Sequence, residues 1–258
     1  RGNTVLPETV SEKYGIDTAR LFLVSASSPD KDVHWSSKGI ESSIKFIKKV
    51  FNYFNSVKFG KSSKKIKSKL NKATKEVSGD IENFNYNLAI IKLRKLFGYI
   101  EEEKVSKETL KSFLKLLHPF CPHISEELWS KLGNKNFLSL ESWPKFDKNK
   151  IDEKLEEQEQ LIEKLADDIN NIIKIVKTKG KQVKKSFVYV LPKEKEIYKT
   201  EIETLKKKTN IGIEIYAVNE KTKHDPEGRA KKAKPGKPAI YLEEKKHPGK
   251  WNFSLLKT

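Results

Sequence analysis

A chain of 258 residues is long enough to bury one large core or two moderate ones, and its 53 Lys and Arg against 35 Asp and Glu give it a formal charge of +18. Its single cysteine excludes an internal disulfide framework and fits a reducing compartment. No apolar run approaches the roughly 20 residues that a membrane-spanning helix needs. Such a charge favours a polyanionic partner, because Lys and Arg neutralise phosphates and release condensed counterions. The charge is also segregated: residues 44–75 hold eleven Lys and no acid, whereas residues 151–168 hold eight acids and two Lys. The chain contains no Met and starts at Arg1, which predicts a piece of a longer translation product.

In chain order, residues 6–15 predict a short helix with Pro7 in its first turn and Gly15 ending it. Asp17 is placed to cap the next helix, which carries Ala19, Leu21, Phe22 and Leu23. Ser36 or Ser37 caps a longer one, with Ile40, Ile44, Ile47, Val50, Phe51 and Phe54 at three- and four-residue spacing. Residues 62–77 keep the same period through Ile66, Leu70, Ala73 and Val77. Residues 81–102 predict a further helix on Phe84, Leu88, Ile91, Leu96 and Tyr99. Ser106 opens another through Leu110, Phe113, Leu114 and Leu117, and Pro122 to Leu132 forms the last, stopped by Gly133. Amphipathic helices joined by short loops read as an antiparallel bundle.

Past Trp143-Pro144 the pattern changes. Leu155, Ile162, Leu165, Ile169, Ile172 and Val176 mark a long helix ended by Gly180. Residues 186–191 alternate like a strand, 194–209 like a helix, 211–218 like a strand, and 237–242 like a third. This reads as a small α+β domain on its own long helix, so the fold class is mainly α with a small α+β domain last. The expected divisions are 1–37, 38–146, 147–180 as a helical linker, 181–243, and a tail over 244–258.

His118, Cys121 and His123 raise the question of zinc, but three ligands with the Cys at a helix start make a poor tetrahedral site, and no metal is expected. The stretch instead reads as a helix–helix corner with Leu128 and Trp129 buried. No nucleophile–base pair stands out and no Gly-rich phosphate loop follows a strand, so no catalytic residue is expected. The helix over 45–58 interleaves Lys with Phe46, Phe51, Tyr53 and Phe54. Its spacing reads as a core stripe whose other face, Lys45, Lys48 and Lys49 together with Arg94, would meet phosphate. The second candidate surface is DPEGRAKKAKPGKPAIYLE, residues 225–243. There Arg229, Lys231, Lys232, Lys234 and Lys237 run through two prolines into a strand, and rigid backbone beside ammonium groups suits a phosphate backbone held in register.

The opening Arg1-Gly2-Asn3 with PETVSEKYGIDTARLFL, and LLHPFCPHISEELW at 116–129, resemble the class I aminoacyl-tRNA synthetases of the leucine, isoleucine and valine group. The first resembles the segment after that family's ATP-binding Lys-Met-Ser-Lys-Ser loop. The second resembles its helical anticodon-binding domain. SSPDKDVHWSSKGIESSIKF looks most like the leucyl enzymes, and PGKPAIYLE is similar to the ending of their archaeal and eukaryotic-like branch. The resemblance implies a stem-contact connector over 1–37 and a class Ia helical bundle, in a protein that joins leucine to its tRNA with ATP and magnesium. Arg1, Gly2 and Asn3 would border the ATP loop. Catalytic and editing domains lie outside this stretch, so it should be inactive alone and bind no cofactor itself. Its implied partners are leucine tRNA and the catalytic half of the enzyme, in cis or as a separate subunit, in the cytoplasm, with no DNA and no membrane. The lysines of 231–237 would hold phosphates and the strand end at Ile240 and Tyr241 would read the long variable arm. Two alternatives stay open: a free-standing basic RNA-binding protein, and the same region of an isoleucyl or valyl enzyme.

Overall fold

The computed structural model describes residues 6–32 and 35–244, so the expectations for Arg1, Gly2, Asn3 and the tail fall outside the described residues. The chain divides into two compact units, 1–152 and 153–258.

The first unit is helical: α1 (Pro7–Tyr14), α2 (Ile16–Ala26), α3 (Ser37–Ser56), α4 (Lys64–Glu82), α5 (Tyr86–Glu102), α6 (Lys107–Leu117) and α7 (Pro122–Lys131). Its ends follow local chemistry. Gly15 takes φ +85 between α1 and α2, a conformation that costs little without a Cβ. Ser36, Ser63 and Ser106 accept from the amides of Gly39, Ile66 and Thr109, satisfying donors that the first helical turn leaves open. Asp17 does not cap its own helix. It sits in the first turn of α2, 7 % exposed, and its carboxylate accepts from the Ile124 amide at 2.7 Å and the His123 Nδ1 at 2.9 Å. It therefore caps α7, where peptide N–H groups favour a negative charge.

The core runs from Leu21 through Phe46, Val50, Ile66, Val77, Leu93, Phe97, Phe113 and Leu117 to Leu128 and Trp129. One predicted stripe is corrected. Phe84, Leu88 and Ile91 are exposed, and α5 buries Ala89, Ile90, Leu93, Leu96, Phe97 and Ile100 instead. The chain turns at 83–85 with Phe84 at φ +58, and this break between α4 and α5 resets the helical phase. The 118–123 corner closes as a helix junction with Cys121 buried, and burial pushes its thiol pKa up. Glu126 on α7 accepts from the Leu138 amide at 2.7 Å, the Ser139 amide at 2.9 Å and the His118 Nε2 at 3.2 Å. Burial raises that carboxyl, but these bonds outweigh it and hold it below its ordinary value. Among the described residues no helix is long and apolar enough to cross a membrane, and no group of three His, Cys, Asp or Glu is placed to hold a metal ion.

In the second unit α8 (Glu153–Thr178) packs on a three-stranded sheet of order β2-β1-β3, with β1 (Val183–Val190) central. β2 (Gly212–Ala217) runs parallel to β1 after a crossover through α9 (Lys195–Thr200) and α10 (Ile202–Thr209). β3 (Ala239–Glu244) runs antiparallel to it. The single helix expected over 194–209 is thus two, interrupted at Glu201. Ile162, Leu165, Ile169 and Ile173 of α8 meet Val188, Val190 and Ile213, so this helix supplies a wall of the core and Ile173 takes the place expected of Ile172. The strand period of two sends Phe187, Tyr189, Tyr216 and Tyr241 to the opposite face, against Ala230 and Ala239.

Candidate nucleic-acid interface

On the bundle, helical spacing puts Lys45 and Lys49 on one face of α3, beside Arg94 of α5. Together with Lys38, Glu41, Ser42, Phe46 and Phe97 they line an open groove of about 550 Å³. Arg94 is its fixed part. The guanidinium lies 4.9 Å from the Phe46 ring centre and donates to the Ser42 Oγ at 3.0 Å. Burial lowers its pKa, yet an Arg stays charged at any physiological pH. Lys49 is ion-paired with Glu101, which spends part of its charge inside the protein. Lys38 and Lys45 are exposed and make no ion pair among the described residues, so they are available cations of the groove. Lys48 is exposed too but does not line the groove.

On the second unit the residues expected to act together are divided by role. Arg229 opens a 3₁₀ turn (Arg229–Lys232) after Gly228 in the left-handed region. The Asp225 carboxylate accepts from the Arg229 amide at 2.7 Å and the Ala230 amide at 3.0 Å. The Arg229 side chain is itself consumed: Nε donates to Glu227 at 2.7 Å and Nη1 reaches the Ile240 carbonyl at 3.4 Å. Arg229 is therefore a strut of the loop, and the Ile240 carbonyl already has a donor.

Lys234 and Lys237 bond each other's backbones at 3.0 and 2.9 Å across Pro235-Gly236, a two-residue turn with Gly236 at φ +64. The Gly236 amide donates to Glu194 at 2.8 Å, which fastens the turn to the domain. Lys231, Lys232, Lys234 and Lys237 project from this clamp, exposed, and make no ion pair among the described residues. Cations on a fixed backbone are pre-organised, so fewer degrees of freedom are lost when phosphates arrive. Ile240 and Tyr241 occupy opposite faces of β3, Ile240 toward α8 and Tyr241 against Phe187, with ring centres 6.0 Å apart.

His224 has no signal in the sequence. Its ring lies 4.6 Å from that of Phe187 and 6.1 Å from that of Tyr241. Its carbonyl accepts from the Tyr189 hydroxyl, a bond no local pattern announces. Tyr216 stands on the same face and donates to Glu214, which also receives Lys185. The bond to Glu214 pushes the Tyr216 hydroxyl up to about 12, and Lys185 holds the Glu214 carboxyl low.

Residues 63–190 match the family model for the anticodon-binding domain of tRNA ligase. The helices from α4 onward are of that domain class. Among curated proteins the chain is 35 % identical to the leucine–tRNA ligase of Geobacter sp. strain M21, over 57 % of this chain and 21 % of the relative. It is 35 % identical to that of Prochlorococcus marinus subsp. pastoris, over 67 % and 22 %, and 32 % identical to that of Acaryochloris marina, over 69 % and 22 %. A solved LeuRS of Agrobacterium radiobacter K84, in a ternary complex with tRNA and LeuAMS, shares the fold at TM-score 0.52 and 24 % identity, over 58 % of this chain and 22 % of that one. The chain thus corresponds to the anticodon-binding region of leucyl-tRNA synthetases, and it spans about a fifth of the length of the curated relatives it matches. These relatives favour the leucyl reading over a free-standing RNA-binding protein or an isoleucyl or valyl enzyme.

Proposed function

We propose that this chain is the tRNA-holding part of a leucine–tRNA ligase. It would keep leucine tRNA oriented so that the acceptor end reaches a catalytic half supplied in cis or as a separate subunit. The observation that carries this reading is the clamped turn of 229–237, which presents four exposed lysines on backbone fixed by Asp225 and Glu194. Lys45 and Lys48, with Arg94 and the ion-paired Lys49 beside them, would give the bundle a sequence-independent grip on phosphate. The whole enzyme would use ATP and magnesium in the cytoplasm, with Arg1, Gly2 and Asn3 beside its nucleotide loop, while this part alone binds neither and is inactive.

The finer reading places the chain in the archaeal and eukaryotic-like branch, beginning just after the Lys-Met-Ser-Lys-Ser loop, with residues 181–243 recognising the long variable arm. PGKPAIYLE and RGN support it. Reading would come from Tyr241 and from the four lysines at the strand entrance, since Arg229 already serves the Ile240 carbonyl.

The test is titration of this chain with leucine tRNA, the same tRNA lacking its variable arm, and isoleucine tRNA, over a range of salt. Binding of all three with steep salt dependence is the outcome expected of the grip, and a preference for intact leucine tRNA is expected of the variable-arm reading. Salt-insensitive binding would sink the first, and equal affinity for all three would sink the second.

A further inference from the structure

Glu194 has two carboxylate oxygens, and the clamped turn uses one of them. Its Oε1 accepts from the Gly236 amide at 2.8 Å, whereas its Oε2 is buried with no hydrogen-bond partner among the described residues. Glu194 stands at the N-cap of α9, yet its side chain does not cap that helix. The neighbouring Lys195 is ion-paired with Glu220. A carboxylate oxygen shut away from water without a donor is costly, and buried oxygens of folded proteins nearly always find one.

A donor without an acceptor lies one helical turn further on. Tyr198 is wholly buried, and its hydroxyl likewise has no partner among the described residues. Glu194 already has helical backbone angles, and residues four apart on a helix share a face. The Tyr198 ring is locked into the core cluster of Ile162, Leu165, Val190 and Ile213, which fixes the hydroxyl in place. Burial, and after it the negative charge of Glu194, push that hydroxyl up to about 12, so it keeps a proton to donate. A phenol donor and a carboxylate acceptor, both enclosed and both unserved, are two ends that a single internal water joins.

We propose that Tyr198 is a positioning residue of the lysine clamp: its hydroxyl, through one enclosed water, holds the second oxygen of Glu194 and so aims the first at Gly236. The core of the sheet unit thereby sets the register of Lys234 and Lys237, whose backbones bond each other on either side of Pro235-Gly236. The proposal rests on the RNA-holding reading above and adds to it a residue that never touches RNA.

The experiment compares the chain with Tyr198→Phe, Glu194→Ala and the double variant, by amide hydrogen exchange and by titration with leucine tRNA. One hydrogen bond of ordinary strength corresponds to about 2- to 13-fold in an equilibrium. Tyr198→Phe should speed exchange of the Gly236 amide and weaken tRNA binding, each by that factor, and leave the β1 amides as they were. In the Glu194→Ala background the same change should do nothing further, because the route through the carboxylate is gone. A Gly236 amide and a tRNA affinity untouched by Tyr198→Phe overturn the proposal, and if Glu194→Ala still alters both, the clamp and the RNA-holding reading stand. Faster exchange throughout β1, or losses that add in the double variant, also overturn it and make Tyr198 a core residue only. If both single variants free the Gly236 amide and neither changes tRNA binding, the turn does not hold RNA and the role proposed for Tyr198 falls with that reading.

Discussion

The two cationic surfaces are built in opposite ways. On the bundle, Lys45 and Lys48 ride a 20-residue helix whose other side is locked into the core through Phe46, Val50 and Phe54, so packing fixes their positions. On the second unit, four lysines ride a short segment held by Asp225, Glu194 and two glycines in the left-handed region, Gly228 and Gly236. Helical cations are cheap to place but spread along one line. Loop cations converge on a compact spot, yet their register depends on a few hydrogen bonds. A backbone grip and a selective contact call for those two constructions respectively.

The comparison breaks or holds first on the lysines themselves. Replacing Lys231, Lys232, Lys234 and Lys237 with Ala should flatten the slope of log affinity against log salt by about 0.9 for every phosphate that is no longer neutralised, and weaken tRNA binding by about tenfold or more. Discrimination between leucine and isoleucine tRNAs should fall with it. The double change Lys45→Ala/Lys48→Ala should flatten the slope by about 1 to 2 and leave discrimination unchanged. Loss of selectivity from the helical pair alone would reverse the assignment.

A second test concerns the supports of the bundle. Glu126→Gln keeps one acceptor and turns the other into a donor facing the amides of 138–139, and should cost about 2 kcal/mol at neutral pH. The carboxyl is held low in the folded state, so its contribution is present above the unfolded value of about 4.3 and fades as pH falls through the lower folded value. Melting curves of the two proteins should converge in acid, and a constant gap across that window would show the charge to be immaterial.

The smallest effect is expected at Gly236. Alanine there must hold φ +64, at roughly 1 kcal/mol, and its methyl would meet a Leu161 methyl at 3.4 Å. Selectivity for leucine tRNA should drop more than stability does, whereas full selectivity in a loosened turn would mean the clamp is dispensable.

The mainly α architecture was readable because long periodic helices with serine caps announce themselves locally: Ser36 and Ser106 act where the helical period places them. The errors have two causes, interactions that span the chain and a local break in helical phase. Asp17 looked like a cap for its own helix, but its acceptors serve amide and imidazole donors over 100 residues away. The α5 stripe failed because the residues around it are apolar on two faces, and only the break at Phe84 decides the phase. At the candidate site, composition revealed the cations but not which were spent: Arg229 and Lys49 have internal partners, whereas Lys231 and Lys45 make no ion pair among the described residues. His224 had no pattern to betray it, since an isolated ring declares its place only through its neighbours.

Cys121 adds a practical consequence. The protein's one thiol is wholly enclosed by the bundle, and its raised pKa keeps it from forming the reactive thiolate. A thiol-specific reagent can label it only while the helices part, so the labelling rate is an internal clock for breathing of the first unit. With no sulfhydryl elsewhere in the chain, the sheet unit is silent in that measurement. A tRNA that slows the clock tightens the bundle itself, and one that binds without slowing it acts elsewhere.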